Sequence, residues 1–117
     1  MNDILQRLTE VHGVKAALFA TNDGLLIEGS GRDIDLDIAA AVTTSVMQAA
    51  DGIARLDSIQ APTRLSVESD TLVVIMEQFR DEMVVAVVLD DPSNAGYVRF
   101  LLDREHRQRE VAVGVDW

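Results

Sequence analysis

Between Asp35 and Leu56 the chain reads DLDIAAAVTTSVMQAADGIARL, with more apolar surface than one helix contact absorbs. At about 100° per residue, Ile38, Val42, Val46, Ala49, Ile53 and Leu56 fall on one face. Leu36, Ala40, Thr43, Met47 and Ala54 make a second stripe, and the small residues Ala41, Ser45 and Gly52 a third. Asp37, Thr44, Gln48, Asp51 and Arg55 form the polar strip, with Asp51 and Arg55 spaced as a helical i,i+4 pair. The non-polar arc covers roughly 200°, against roughly 100° for a helix lying on one core. Such a helix covers its own fold with one face and meets another surface with a second. Alanine and serine bring no mechanism of their own here, so the stretch points to recognition rather than chemistry.

Ahead of this helix, Ile4, Leu5, Leu8 and Val11 give a helical stripe, and Gly13 stands where a left-handed residue stops a helix. VKAALFAT, Val14 to Thr21, is an apolar run of strand length. Asn22-Asp23-Gly24 is a tight-turn signal, and LLIE returns as the second strand of a hairpin. Gly29-Ser30-Gly31 reads as a flexible loop leading to Asp33 and Asp35, either of which suits the cap of the long helix. Beyond that helix, Thr63, Leu65 and Val67 alternate with Arg64, Ser66 and Glu68, a strand with one wet face; Pro62 at its start suits an edge. TLVVIMEQ is the fourth strand, and Phe79 to Glu82 turn the chain. MVVAVVL, Met83 to Leu89, has no alternation, as expected of a central strand covered on both faces. Asp91-Pro92 is a cap with a first-turn proline, and Tyr97, Val98, Leu101 and Leu102 form the inner stripe of a last helix.

The expected fold is therefore a three-layer α/β/α sandwich of the α+β kind. A hairpin and a three-stranded meander join into one five-stranded antiparallel sheet. The long helix lies on one face and two shorter helices on the other. The expected domain spans residues 1–110, and VAVGVDW, residues 111–117, is a tail with no place in the core.

Charge narrows the partners. The 117 residues carry a formal charge of −10, which disfavours nucleic acid and anionic membrane surfaces as partners. Residues 99–117 hold four basic and four acidic side chains, so the acidity belongs to the body. There is no cysteine, hence no disulfide framework and no thiolate metal site. MNDILQRL lacks the pattern of a signal peptide, and no apolar run reaches membrane-spanning length. A cytoplasmic protein is expected.

The opening helix ending in VHGVKAALFA, the NDGLLIE hairpin, the alanine-rich helix and the meander into LDDPSNAGYVRFLL resemble, in that order and spacing, the roadblock or dynein light-chain domain family. The likeness runs to about Arg107 and points to an MglB-like bacterial or archaeal member. It implies a two-fold dimer made by the long helix and the third strand, with two sheets joined edge to edge. It also implies a non-catalytic platform for a small Ras-like GTPase, or a scaffold subunit of a larger complex.

Catalytic and metal constellations are weak. His12 and His106 are far apart in sequence, each near an expected helix end. Asp33, Asp35 and Asp37 lack the glycine and distal glutamate of a calcium loop, and helix-start electrostatics account for them. Ser45 has no nucleophile elbow. Gly29-Ser30-Gly31-Arg32 has no P-loop context, and Arg104, Arg107 and Arg109, interleaved with acids, lack a stacking platform for bases. No enzyme, cofactor or metal is expected. The expected function is a homodimeric adaptor that binds a Ras-like GTPase, with or without stimulating GTP hydrolysis; a scaffold subunit and a small-molecule sensor are the alternatives. The expected dimer interface is Leu36, Ala40, Thr43, Met47 and Ala54 with Arg64, Ser66 and Glu68, although close backbone approach favours Ala41, Ser45 and Gly52 instead. The expected partner contacts are Asp37, Gln48, Asp51 and Arg55.

Overall fold

The turns and caps set the element boundaries. The computed structural model of the chain describes residues 2–60, 62–80 and 82–115, with side chains for 3–60, 62–80 and 82–107. In order come α1 (Asn2–Thr9), β1 (Val14–Thr21), β2 (Leu26–Gly31), α2 (Leu36–Leu56), β3 (Arg64–Glu68), β4 (Val73–Arg80) and β5 (Met83–Leu89), then a short 3-10 turn, Pro92–Asn94, and α3 (Ala95–Val115). Gly24 closes the first hairpin at φ 96°, backbone that a side chain disfavours. Gly13 also has positive φ, but it leads into β1, four residues after α1 ends at Thr9. Asp35 caps α2 by accepting from the Ile38 N–H at 3.1 Å. Asp91 caps the 3-10 turn through the Ser93 N–H, with Pro92 behind it.

All strand pairs are antiparallel, in the order β2-β1-β5-β4-β3. The all-apolar β5 is central and β3 is an edge, as the patterns require. Leu18, Ala20, Met76, Val84 and Ala86 point to the α2 side. Phe19, Ile75, Val85, Val87 and Leu89 point to the other side, against Ile4, Leu5 and Leu8 of α1 and Val98, Leu101 and Leu102 of α3. There Phe19 and Phe79 meet edge to face, ring centroids 4.6 Å apart.

Several expectations change. Gly29-Ser30-Gly31 is not a loop but the end of β2, paired in register with Leu18, Ala17 and Ala16. A Cβ at Gly31 would lie 2.6 Å from the Ala16 Cβ, so these glycines serve close strand approach rather than flexibility. β4 continues to Arg80 and carries Phe79 into the core, 4% exposed. α3 matches α2 in length at 21 residues, so only α1 is short. Its helix runs through residues 111–115, where a tail was expected; residues 116–117 lie outside the described part. Tyr97 is on the outer side of α3, 53% exposed, and Ala95 takes its place in the inner stripe.

Candidate interaction surface

α2 presents its small and medium residues to the sheet. Ala40, Thr43, Thr44 and Ala54 are buried, with Leu36 and Met47 half-buried beside them. Short side chains let the helix settle close to Leu18 and Ala20, and the Thr44 hydroxyl folds back onto its own helix, donating to the Ala41 carbonyl at 3.0 Å. The hairpin turn closes on the same spot: a Cβ on Gly24 would meet the Thr44 Oγ1 at 2.9 Å. The helix lies over β2, β1 and β5 more than over β4 and β3. Leu65 and Val74 on that side are consequently only half-buried, and Val67 is exposed.

What remains outside is the face with the largest side chains. Ile38, Val42, Ile53 and Leu56 are 62%, 55%, 68% and 88% exposed. Between them run Ala41, Ser45, Ala49 and Gly52, all exposed, forming a shallow floor. The Ser45 hydroxyl donates to the Ala41 carbonyl at 2.9 Å, so this floor offers no unsatisfied donor.

The expected seam therefore needs correction. Ala40, Thr43 and Ala54 are buried against the chain's own sheet, and Leu36 and Met47 are half-buried beside them, so the second stripe is turned largely inward. Arg64, Ser66 and Glu68 change too, because their side chains are engaged by α3. Arg64 contacts Asp103 at 2.7 Å, while Arg99 reaches Ser66 at 3.1 Å and Glu68 at 3.8 Å. What β3 leaves open is the backbone of its outer edge. Of the expected partner contacts, Asp37, Gln48 and Arg55 are exposed and Asp51 is half-buried. They line one flank of the apolar face, with Arg55 on Asp51 at 2.8 Å.

Two polar groupings escaped the sequence reading. Glu77 is 3% exposed in the α3-side core, held by the Arg64 Nε and Nη2 at 3.0 and 2.8 Å and by His106. Burial acts to lower the Arg64 pKa, but Asp103 and Glu77 outweigh it and hold it above its ordinary value. His106 lies well inside α3 rather than near a helix end, and the group ties β3 and β4 to that helix. The only hint in sequence was a lone glutamate closing an apolar run. The second grouping is an open groove of about 240 Å³ beside α2, lined by Asn22, Thr44, Met47, Gln48, Asp51, Pro62, Gln78 and Val84. Two of the expected partner contacts, Gln48 and Asp51, stand in it.

Among the described residues no helix is long and apolar enough to cross a membrane. A family model described as Roadblock/LC7 domain matches residues 1–89. Among solved structures, the chain is similar to MglB of Myxococcus xanthus, with TM-score 0.81 and 22% identity over 97% of this chain and 94% of that one. It is similar to an MglB described as having a tetrameric arrangement, with TM-score 0.80 and 16% identity over 89% and 80% of the two chains. A Roadblock/LC7 domain from Streptomyces avermitilis follows, with TM-score 0.76 and 18% identity over 97% of each. A comparison with curated proteins gives no match.

Proposed function

Because the chain belongs to the Roadblock/LC7 domain family, we propose that it is a homodimeric, non-catalytic adaptor that binds a small Ras-like GTPase and regulates it. The observation that carries this reading is the outer face of α2. Four large aliphatic side chains stand more than half exposed around a floor of alanine, serine and glycine, and among the described residues β3 leaves its outer edge without a neighbour strand. Unpaired edges and exposed apolar stripes mark association surfaces. A two-fold pairing satisfies both at once, since each copy brings the same helix face and the same edge.

Gly52 supports the pairing. A glycine in a helix interior costs about 1 kcal/mol relative to alanine. A Cβ there would meet nothing within 4 Å among the described residues, so their packing does not require it. A second helix passing close by supplies the reason. In the adaptor reading, Asp37, Gln48, Asp51 and Arg55 flank the dimer seam and meet the GTPase. In this reading any change in its hydrolysis rate comes from its own switch loops being reshaped.

The test has two parts. Sedimentation at micromolar concentration is expected to give twice the chain mass. Affinity capture from the native cell is expected to recover a Ras-like protein whose GTP hydrolysis is then measured with and without the chain. A monomer, or capture of a large assembly containing no GTPase, would overturn the reading; the second result would favour a scaffold subunit.

A further inference from the structure

We propose that the groove beside the middle of α2 receives an arginine or lysine side chain carried by the protein partner. This names part of the partner's chemistry and rests on the adaptor reading only in taking the partner to be a protein. The groove lies between Thr44 to Asp51 of α2 and the turn end of the sheet, and encloses about 240 Å³. Its walls are of two kinds. Met47, Val84 and Pro62 supply apolar surface, and Thr44, Gln48, Asp51, Asn22 and Gln78 supply polar atoms.

Asp51 is the one charged group among the described lining residues, and Gln78 and Thr44 add acceptors to it. The two N–H bonds of the Gln78 amide are shared among the Met83 carbonyl at 2.9 Å, the Arg80 carbonyl and the Asn22 Oδ1 at 3.2 Å. Its amide nitrogen is thus committed, and what Gln78 offers a ligand is its oxygen. The Thr44 hydroxyl commits its proton to the carbonyls of Ala41 and Ala40, at 3.0 and 3.3 Å, and keeps lone pairs. Asp51 when ionised only accepts. Among the described residues that line it, none is Lys, Arg or His.

A groove with apolar walls and a carboxylate beside them matches a long aliphatic stem ending in donors, and lysine and arginine are the side chains built that way. A carboxylate or phosphate would meet the like charge of Asp51. The formal charge of −10 favours the approach of such a cation. Asp51 already attracts a guanidinium, since Arg55 one turn further along α2 sits 2.8 Å away. That arginine is 79% exposed and Asp51 38%, so the pair is weak and readily exchanged. Arg55 holds the place that the partner's cation takes.

The test uses the full chain and amide NMR titrations. Butylguanidinium and butylammonium are expected to cause saturable shifts at Thr44, Gln48, Asp51, Gln78 and Val84, with sodium butyrate causing none. Asp51→Asn should weaken this binding about fivefold, while Arg55→Met should tighten it by freeing the carboxylate. Acetyl-Gly-Arg-Gly-amide should bind as butylguanidinium does. Unsaturable shifts, equal response to butyrate, or indifference to both variants would overturn the proposal. So would binding of the free cation without the peptide, which would make the groove a small-ligand site. None of these measurements needs a GTPase or a dimer, so they fail or succeed apart from the adaptor reading.

Discussion

Replacing Ile53 with glutamate separates folding from pairing. Ile53 is 68% exposed on the outer face of α2, and glutamate is a better helix former than isoleucine. The isolated chain should therefore keep its fold, with a change within about 0.5 kcal/mol. In a two-fold dimer the same position counts twice. Full burial of an isoleucine is worth about 1.5–3 kcal/mol. Covering the exposed two thirds gives about 1–2 kcal/mol per copy and about 2–4 kcal/mol per dimer. At about 1.4 kcal/mol per tenfold, the dimer should weaken about 30- to 1,000-fold, before the desolvation of two carboxylates is added. A dilution series by analytical ultracentrifugation reads this directly. Met47→Glu is the control. Met47 is half-buried against the sheet, so a charge there should cost about 2 kcal/mol of fold stability and lower Tm by about 8 °C, even where the chain is already monomeric. If Ile53→Glu leaves the dissociation constant unchanged while Met47→Glu abolishes pairing in a folded chain, the outer face of α2 is not the seam.

Gly31→Ala places a Cβ 2.6 Å from the Ala16 Cβ, an overpacking that should cost about 2 kcal/mol in urea denaturation. Glu77→Ala strips Arg64 of its buried partner, although Asp103 stays within 2.7 Å; a loss of about 2 kcal/mol is expected, read as a lower Tm with the dimer mass preserved. Asp91 is held below the usual carboxylate range chiefly by hydrogen bonds with Ser93, with a smaller contribution from His12. A depressed folded pKa stabilises above the unfolded value, about 3.9, and the gain disappears as pH falls through the folded value. Asp91→Ala should accordingly flatten the fall of Tm on acidification below about pH 4, and an unchanged slope would show that the bond to Ser93 does not contribute.

Much of the fold was written in local chemistry. Asn22-Asp23-Gly24 turns because glycine accepts φ 96°. Asp35 and Asp91 cap because a short carboxylate reaches a free amide nearby. The unbroken apolar run of Met83 to Leu89, rich in valine and of strand length, suited a strand covered on both faces, and it lies at the centre of the sheet. Periodicity also showed that α2 has more than one apolar face, and the Asp51–Arg55 pair followed from spacing alone.

Periodicity did not say which face turns inward. Helical phase sorts residues into stripes, but every stripe here was apolar enough to serve. The choice came from the distance at which the helix meets Leu18, Ala20 and the Gly24 turn. That distance admits Ala40, Thr43 and Ala54 and leaves Ile38, Val42, Ile53 and Leu56 outside. The alternation of β3 likewise separated its two faces without revealing that the polar one lies beneath α3, where Arg64 and Arg99 find Asp103, Glu68 and Ser66. Glu77 gave no local sign of its role, because its partners come from another strand and from the last helix. A sequence carries the phase of each element about its own axis. The contacts between elements depend on separation and relative placement, and those exist only once the sheet and both helical layers have closed on one another.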